Sequence, residues 1–197
     1  MSGGKFGDGF YDETDVGPTL KDLDKQRSIP KSKYHNPDLV KEEEEIFEFY
    51  KGWIYVLNNE FNKSIEPGRK FYNFDDCMTY DIYGYTGRGV FKPHYDNTFH
   101  YFSDSHCDMK DLECFATSKT TGYALLVQRL KGKTDRGEEF QMTYRMTQIL
   151  QKVDGKWQWI HEHVSFPCDM RTMKADSTCS VDPLEAFQFK ELENGKK

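Results

Sequence analysis

The chain has no apolar run approaching the ~18 residues of a membrane span. Its opening, MSGGKFGDGFYDETD, lacks the apolar centre of a secretory signal. A soluble, cytoplasmic protein without a membrane span is therefore expected. Five cysteines, Cys77, Cys107, Cys114, Cys168 and Cys179, are odd in number and form no C-x-x-C pair, so reduced thiols are expected rather than a disulfide framework or a zinc ribbon. Basic charge is short as well. With 27 Lys and Arg against 33 Asp and Glu, the net charge is -6, and no cluster of cations offers a surface to nucleic acid. Gly84, Gly87 and Gly89 lack the spacing and the lysine of a phosphate loop, and Ser165 lacks a strand-to-helix elbow. No cofactor motif is present.

What is there is aromatic: 15% of 197 residues are Phe, Trp or Tyr, and 37% are hydrophobic, enough for one sizeable core. Residues 1–35 alternate charges with Gly, Pro and isolated aromatics and show no apolar period. They read as an extended or disordered arm. A domain over 36–170 and an irregular tail over 171–197 follow.

Asn36-Pro37-Asp38 supplies an N-cap side chain, a proline that needs no amide hydrogen, and an acid at the positive helix end. Ile46, Phe49, Tyr50, Trp53, Val56 and Leu57 then recur at three- and four-residue steps, which predicts a helix to about Asn62 with Trp53 on its apolar face. A short helical piece is expected over Ile65–Phe71 and a strand over Met78–Tyr83. Pro93 predicts a further helix carrying Tyr95, Phe99 and Phe102. Long strands are expected over Leu112–Ser118, Gly122–Lys131, Glu139–Lys152 and Lys156–Phe166, with Asp154-Gly155 the strongest hairpin signal. Helices first and an antiparallel meander afterwards predict an α+β fold.

The string RMTQILQKVDGKWQWIHEHVSFP, Arg145–Pro167, resembles the last hairpin of the SnoaL-like branch of the nuclear-transport-factor-2-like superfamily, in its Arg-x-Thr, Asp-Gly-Lys-Trp and His-x-His-x-Ser elements. The order of elements from Asp38 to Asp169 is similar too. This resemblance implies a cone, with a long N-terminal helix and shorter helices on a strongly bent antiparallel sheet. The superfamily includes polyketide cyclases, ketosteroid isomerase, dehydratases, epoxide hydrolases, transport factors and the association domain of calmodulin-dependent kinase. Trp159 stands where relatives carry a smaller aliphatic, which questions the pocket volume.

Strand alternation puts Trp157, Trp159, His161, His163 and Ser165 on one face. A His-x-His pair supplies only two metal ligands, so no metal site is expected. The histidines are expected to bond across strands, with Arg145 and Thr147 on their side if the hairpin has a three-residue bulged loop. The resemblance also places Asp81 where isomerase-like relatives carry a general base, with Tyr80 and Tyr95 near it as hydroxyl donors.

Two readings stay open. One is a non-catalytic oligomerisation or binding module, a homo-oligomer or assembly subunit whose tails contact partners. The other is an isomerase, cyclase or dehydratase acting on a small apolar ligand in the cone through Asp81.

Overall fold

The computed structural model describes residues 8–62, 64–89, 98, 101 and 104–181. The expected helix after Pro93, including Tyr95, and the end of the tail lie outside the described residues, apart from Thr98 and Tyr101.

The described helices are α1 (Leu20–Gln26) and α2 (Val40–Asn59), with 3-10 turns at Pro37–Leu39 and Glu66–Lys70. The strands are β1 (Met78–Tyr80), β2 (Thr86–Arg88), β3 (Asp104–Ala116), β4 (Thr121–Lys133), β5 (Glu139–Val153), β6 (Lys156–Ser165), β7 (Cys168–Asp169) and β8 (Lys174–Ala175). Six strands form one strongly bent sheet in the order β2-β1-β6-β5-β4-β3, antiparallel except where β1 runs parallel to β6. β7 and β8 form a separate small hairpin.

The Asn36 side chain accepts the Asp38 amide at 3.0 Å and starts the 3-10 turn that leads into α2. The buried face of α2, including Ile46, Phe47, Tyr50, Trp53, Ile54 and Leu57, lies on the sheet chiefly against β3. Gly122 permits that approach, because a Cβ there would stand 2.8 Å from Ile46 Cδ1 and 2.6 Å from the Phe115 carbonyl oxygen.

The expected Asp154-Gly155 hairpin closes in a two-residue turn, and Arg145 and Thr147 share the histidines' side without the three-residue bulged loop on which that was conditional. Asp154 and Gly155 take φ 50° and 76°, the left-handed pair that matches strand twist, and Val153 faces Lys156 directly. The irregularity lies further along. Leu150 pairs with Trp159 but Ile149 pairs with His161, so Ile160 is an extra residue. This bulge reverses the alternation: Trp157 and Trp159 point to the core, and after it Glu162 and Val164 do, while His161 and His163 turn to the other face. The expected common face of tryptophans and histidines is thereby corrected. A second bulge between Lys110 and Glu113, with Asp111 at φ 54°, moves β3's buried set from Cys107 and Met109 to Leu112, Cys114 and Ala116.

The described part of the N-terminal segment is not the expected extended or disordered arm. Tyr11 and Met109 exchange backbone hydrogen bonds at 2.8 Å in both directions, and the Tyr11 hydroxyl accepts the Leu112 amide at 3.0 Å. Tyr11, Val16 and Leu23 are buried in the same core as α2. The physical reason is that β3 is an edge strand whose outward backbone groups need partners, and this irregular segment supplies them without any apolar period. Asp111 accepts the Ser28 and Ile29 amides, and Arg27 donates to the Leu112 carbonyl and to Glu113.

The segment is locked by charge as well. His35 bridges Glu43 at 2.6 Å and Glu113 at 2.9 Å, and Arg27 lies 2.7 Å from Glu113. Burial raises the Glu113 carboxyl, but hydrogen bonds from His35, the Ser32 amide and Arg27, with the Arg27 charge, hold it down at about 2. A carboxyl lowered in the folded state stabilises above its unfolded value, and that stabilisation fades as pH falls from about 4.5 towards 2. The effect should be on the order of 3 kcal/mol. Urea midpoints of the parent and Glu113→Gln chains should therefore differ at pH 7 and converge near pH 2. A pH-independent difference would place the stabilisation elsewhere.

Candidate functional site in the cone

The deep end of the cone is occupied by the chain's own rings. Trp159 is fully buried, with ring centroids of Tyr72 at 4.5 Å, Trp53 at 4.9 Å and Phe49 at 5.0 Å, and Tyr50 and Phe71 within 6.0 Å. Its Nε1–H donates to the Tyr50 hydroxyl at 3.0 Å. From there a buried polar chain runs on: Tyr50 donates to Gln148 Oε1 at 2.6 Å, Gln148 Nε2 donates to Glu162 Oε2 at 2.6 Å, and Tyr72 donates to the same oxygen at 2.9 Å. Burial pushes the Tyr50 phenol well above its ordinary value, so it remains a donor at any physiological pH.

Beside this filled end lies a cavity of about 50 Å³. It is lined by the apolar Leu57, Leu130, Met146 and Val164 and by Trp53, Tyr72, Asp81, Gln128, Tyr144 and Glu162. Tyr83 and Thr98 line it too. Asp81 follows the end of β1 in a turn, where its Oδ2 accepts the Tyr83 amide at 3.2 Å. Burial, with the nearby Asp81 charge, raises the Tyr83 phenol. Gln128 Nε2 donates to the Tyr144 hydroxyl at 2.6 Å.

Of the residues singled out in the sequence, Trp53 and Asp81 line this cavity, and Trp159 is packed beneath it. Tyr80, Arg145, His161 and His163 lie on the opposite face of the sheet, the two histidines turned there by the β6 bulge. Tyr95 is outside the described residues. On that outer face His161 Nδ1 donates to the Met78 carbonyl at 2.9 Å, and the Tyr80 ring sits 5.4 Å from His161 and 5.8 Å from His163. His163 pairs with Thr147, and Arg145 with Ser165. Exposed Leu125 and Ile149 continue the same face. Among the described residues, no three His, Cys, Asp or Glu side chains gather as a metal site.

Sequence reasoning missed Glu162, Gln128, Tyr72 and Tyr144. A faint signal existed in Gln128, Gln148 and Glu162, polar residues that interrupt the apolar inward faces of β4, β5 and β6. Strict alternation assigned Glu162 to the wrong face because the bulge was invisible.

A long helix laid on a bent sheet whose inner face closes a cavity is the nuclear-transport-factor-2-like cone, and this chain has that fold. Among solved structures it is similar to a nuclear-transport-factor-2-like protein of unknown function from Pseudomonas putida KT2440, with TM-score 0.57, 22% identity, and coverage of 73% of this chain and 97% of that one. It is also similar to the association domain of the C. elegans calmodulin-dependent kinase, with TM-score 0.50, 13% identity, and coverage of 66% and 99%. A hexachlorocyclohexane dehydrochlorinase is similar as well, with TM-score 0.52, 12% identity, and coverage of 64% and 86%. These likenesses are of fold, which hosts both catalysts and association domains. No protein-family model matches the sequence, and no curated protein matches it. Among the described residues no helix is long and apolar enough to cross a membrane.

Proposed function

We propose that this chain is a non-catalytic assembly module that pairs with a second copy of itself through the outer face of its sheet. The observation that carries this reading is the patch formed by Leu125 and Ile149, respectively 39% and 41% exposed, beside Tyr80, His161, His163 and Arg145. Apolar side chains at the centre with histidine and arginine around them make a surface that can meet its own copy across a two-fold axis. The filled cone supports the same reading, since Trp159 takes the space a polycyclic substrate would need. The described N-terminal segment is committed to the core, so contact with any further subunit falls to the tail beyond 171. Five unpaired cysteines suit a reducing compartment, and we place the protein in the cytoplasm.

Sedimentation should give a dimer or higher oligomer for the parent chain. Leu125→Asp combined with Ile149→Asp should give a monomer with a nearly unchanged melting temperature. A parent chain that stays monomeric at its highest attainable concentration would sink the proposal.

A second reading is supported by the cavity wall, where Asp81 and Glu162 stand with the phenols of Tyr72, Tyr83 and Tyr144. In that reading Asp81 is the general base of a small-molecule isomerase, cyclase or dehydratase. Turnover abolished by Asp81→Asn, with oligomeric mass unchanged, would replace the assembly reading with this one.

A further inference from the structure

β5 is paired with β4 along its first strand half and beyond, but β6 reaches it only from Arg145 onward. The Thr143 amide donates to the Ser177 carbonyl at 2.7 Å, so the backbone groups of Thr143 point away from β4. The register with β4 is unbroken from Glu139 to Thr143, and in an antiparallel strand every second residue turns its N–H and C=O the same way. Glu139 and Gln141 therefore turn theirs to the open side as well. Among the described residues no strand pairs with them there, and both are exposed. An unpaired stretch of edge is a ready place for a further strand.

The two faces of this stretch differ. Phe140 and Met142 lie on the inner face, half-buried against the core, where Phe140 meets the Tyr101 ring at 5.2 Å and the Tyr83 hydroxyl donates to Met142 Sδ at 3.6 Å. Glu139 and Gln141 lie on the outer face. A strand that fits must set apolar side chains opposite Phe140 and Met142, and polar ones opposite Gln141 and the Glu139 carboxylate. The tail holds such a sequence. In Phe187-Gln188-Phe189-Lys190, two large aromatics alternate with a polar and a basic residue.

We propose that residues 187–190 add to the β5 edge of their own chain as an antiparallel strand, with Phe187 opposite Met142, Gln188 opposite Gln141, Phe189 opposite Phe140 and Lys190 opposite Glu139.

The path of the chain agrees with this register. Ser177 is bonded to Thr143, and Asp176 accepts the Ser180 and Val181 amides at 2.6 and 2.8 Å, so the tail leaves the described residues beside the open edge. From Val181 to Phe187 is six residues, a reach of about 20 Å, whereas Met142 stands next to Thr143, only about 3.4 Å along the strand. The chain is long enough to turn and enter the edge at Met142. It then runs in the direction of β6 and continues that strand's line along β5. A segment tethered so close is present at an effective concentration on the order of millimolar, which favours it over the tail of a second copy. The proposal does not rest on self-association. Any contact of this end of the tail with a further subunit must compete with the pairing.

The experiment is amide hydrogen exchange of the full chain, read residue by residue by NMR. The Gln141 amide should exchange roughly tenfold or more slowly in the parent than in a Phe187→Asp, Phe189→Asp double variant. The Met142 amide, which points to β4, should exchange equally in both and so reports that the variant is folded. Gln188→Pro, which removes a donor in the middle of the added strand, should release Gln141 as the aspartates do, and Gln188→Thr should leave it protected. Equal Gln141 exchange in the parent and the variants overturns the proposal. Nitrogen-15-labelled double variant mixed with unlabelled parent should keep its fast Gln141 exchange. Protection gained in that mixture would mean that the tail of a second copy fills the edge, which also overturns it. None of these outcomes bears on the sedimentation of the parent chain, so the two proposals fail separately.

Discussion

Replacing Tyr11 by alanine is expected to destabilise the protein by about 3–5 kcal/mol, the range for removing a large buried aromatic and leaving a cavity. Tyr11 is fully buried, forms backbone bonds with Met109, and its hydroxyl accepts the Leu112 amide. The alanine keeps the backbone pair but strands the Leu112 amide at the β3 bulge, where an unmet donor costs about 1–3 kcal/mol. Tyr11→Phe isolates that second contribution and should cost only the smaller amount. For a chain of this size, each kcal/mol moves the melting temperature by roughly 2–4 °C, so calorimetry should show a drop on the order of 10 °C for the alanine variant. A change within experimental error would mean that residues 8–28 are an appendage to the fold rather than part of its core.

Trp159→Ala is expected to have a comparable effect, again about 3–5 kcal/mol, through the largest fully buried side chain in the protein. The indole is enclosed by five rings and also donates to Tyr50, the first hydroxyl of the chain that ends on Glu162. Its removal should loosen that chain and enlarge the cone. Two measurements check this. Denaturant midpoints should fall by the stated amount, and added indole should recover part of the loss in the variant while leaving the parent chain unchanged, because ligand bound only to the folded state stabilises it. A small loss with no rescue would mean that the surrounding rings collapse into the space, so that the deep cone is not rigidly packed.

Much of the architecture could be read from the sequence because it rests on local physics. The Asn36-Pro37-Asp38 cap and the recurrence of Ile46, Tyr50, Trp53 and Leu57 specify α2 and its buried face, and the observed helix ends within three residues of the expected Asn62. The Asp154-Gly155 turn and its flanking alternation specify the β5–β6 hairpin, and the resemblance carried by that hairpin named the cone. Of the candidate site, Asp81 and Trp53 could be picked out in the same way.

What the sequence left open depends on partners far apart in the chain. Nothing local marks Tyr11 as core, since its burial is decided by an edge strand about a hundred residues later that lacks a neighbour. Nothing local marks Ile160 as a bulge, since an extra residue exists only relative to the register of the opposite strand. That single residue turns His161 and His163 outward and brings Glu162 inward beside Gln148 and Tyr72. Side-chain period along a strand is therefore a property of the sequence, but which face is inside after a bulge is a property of the assembled sheet. The candidate site was decided at that second level.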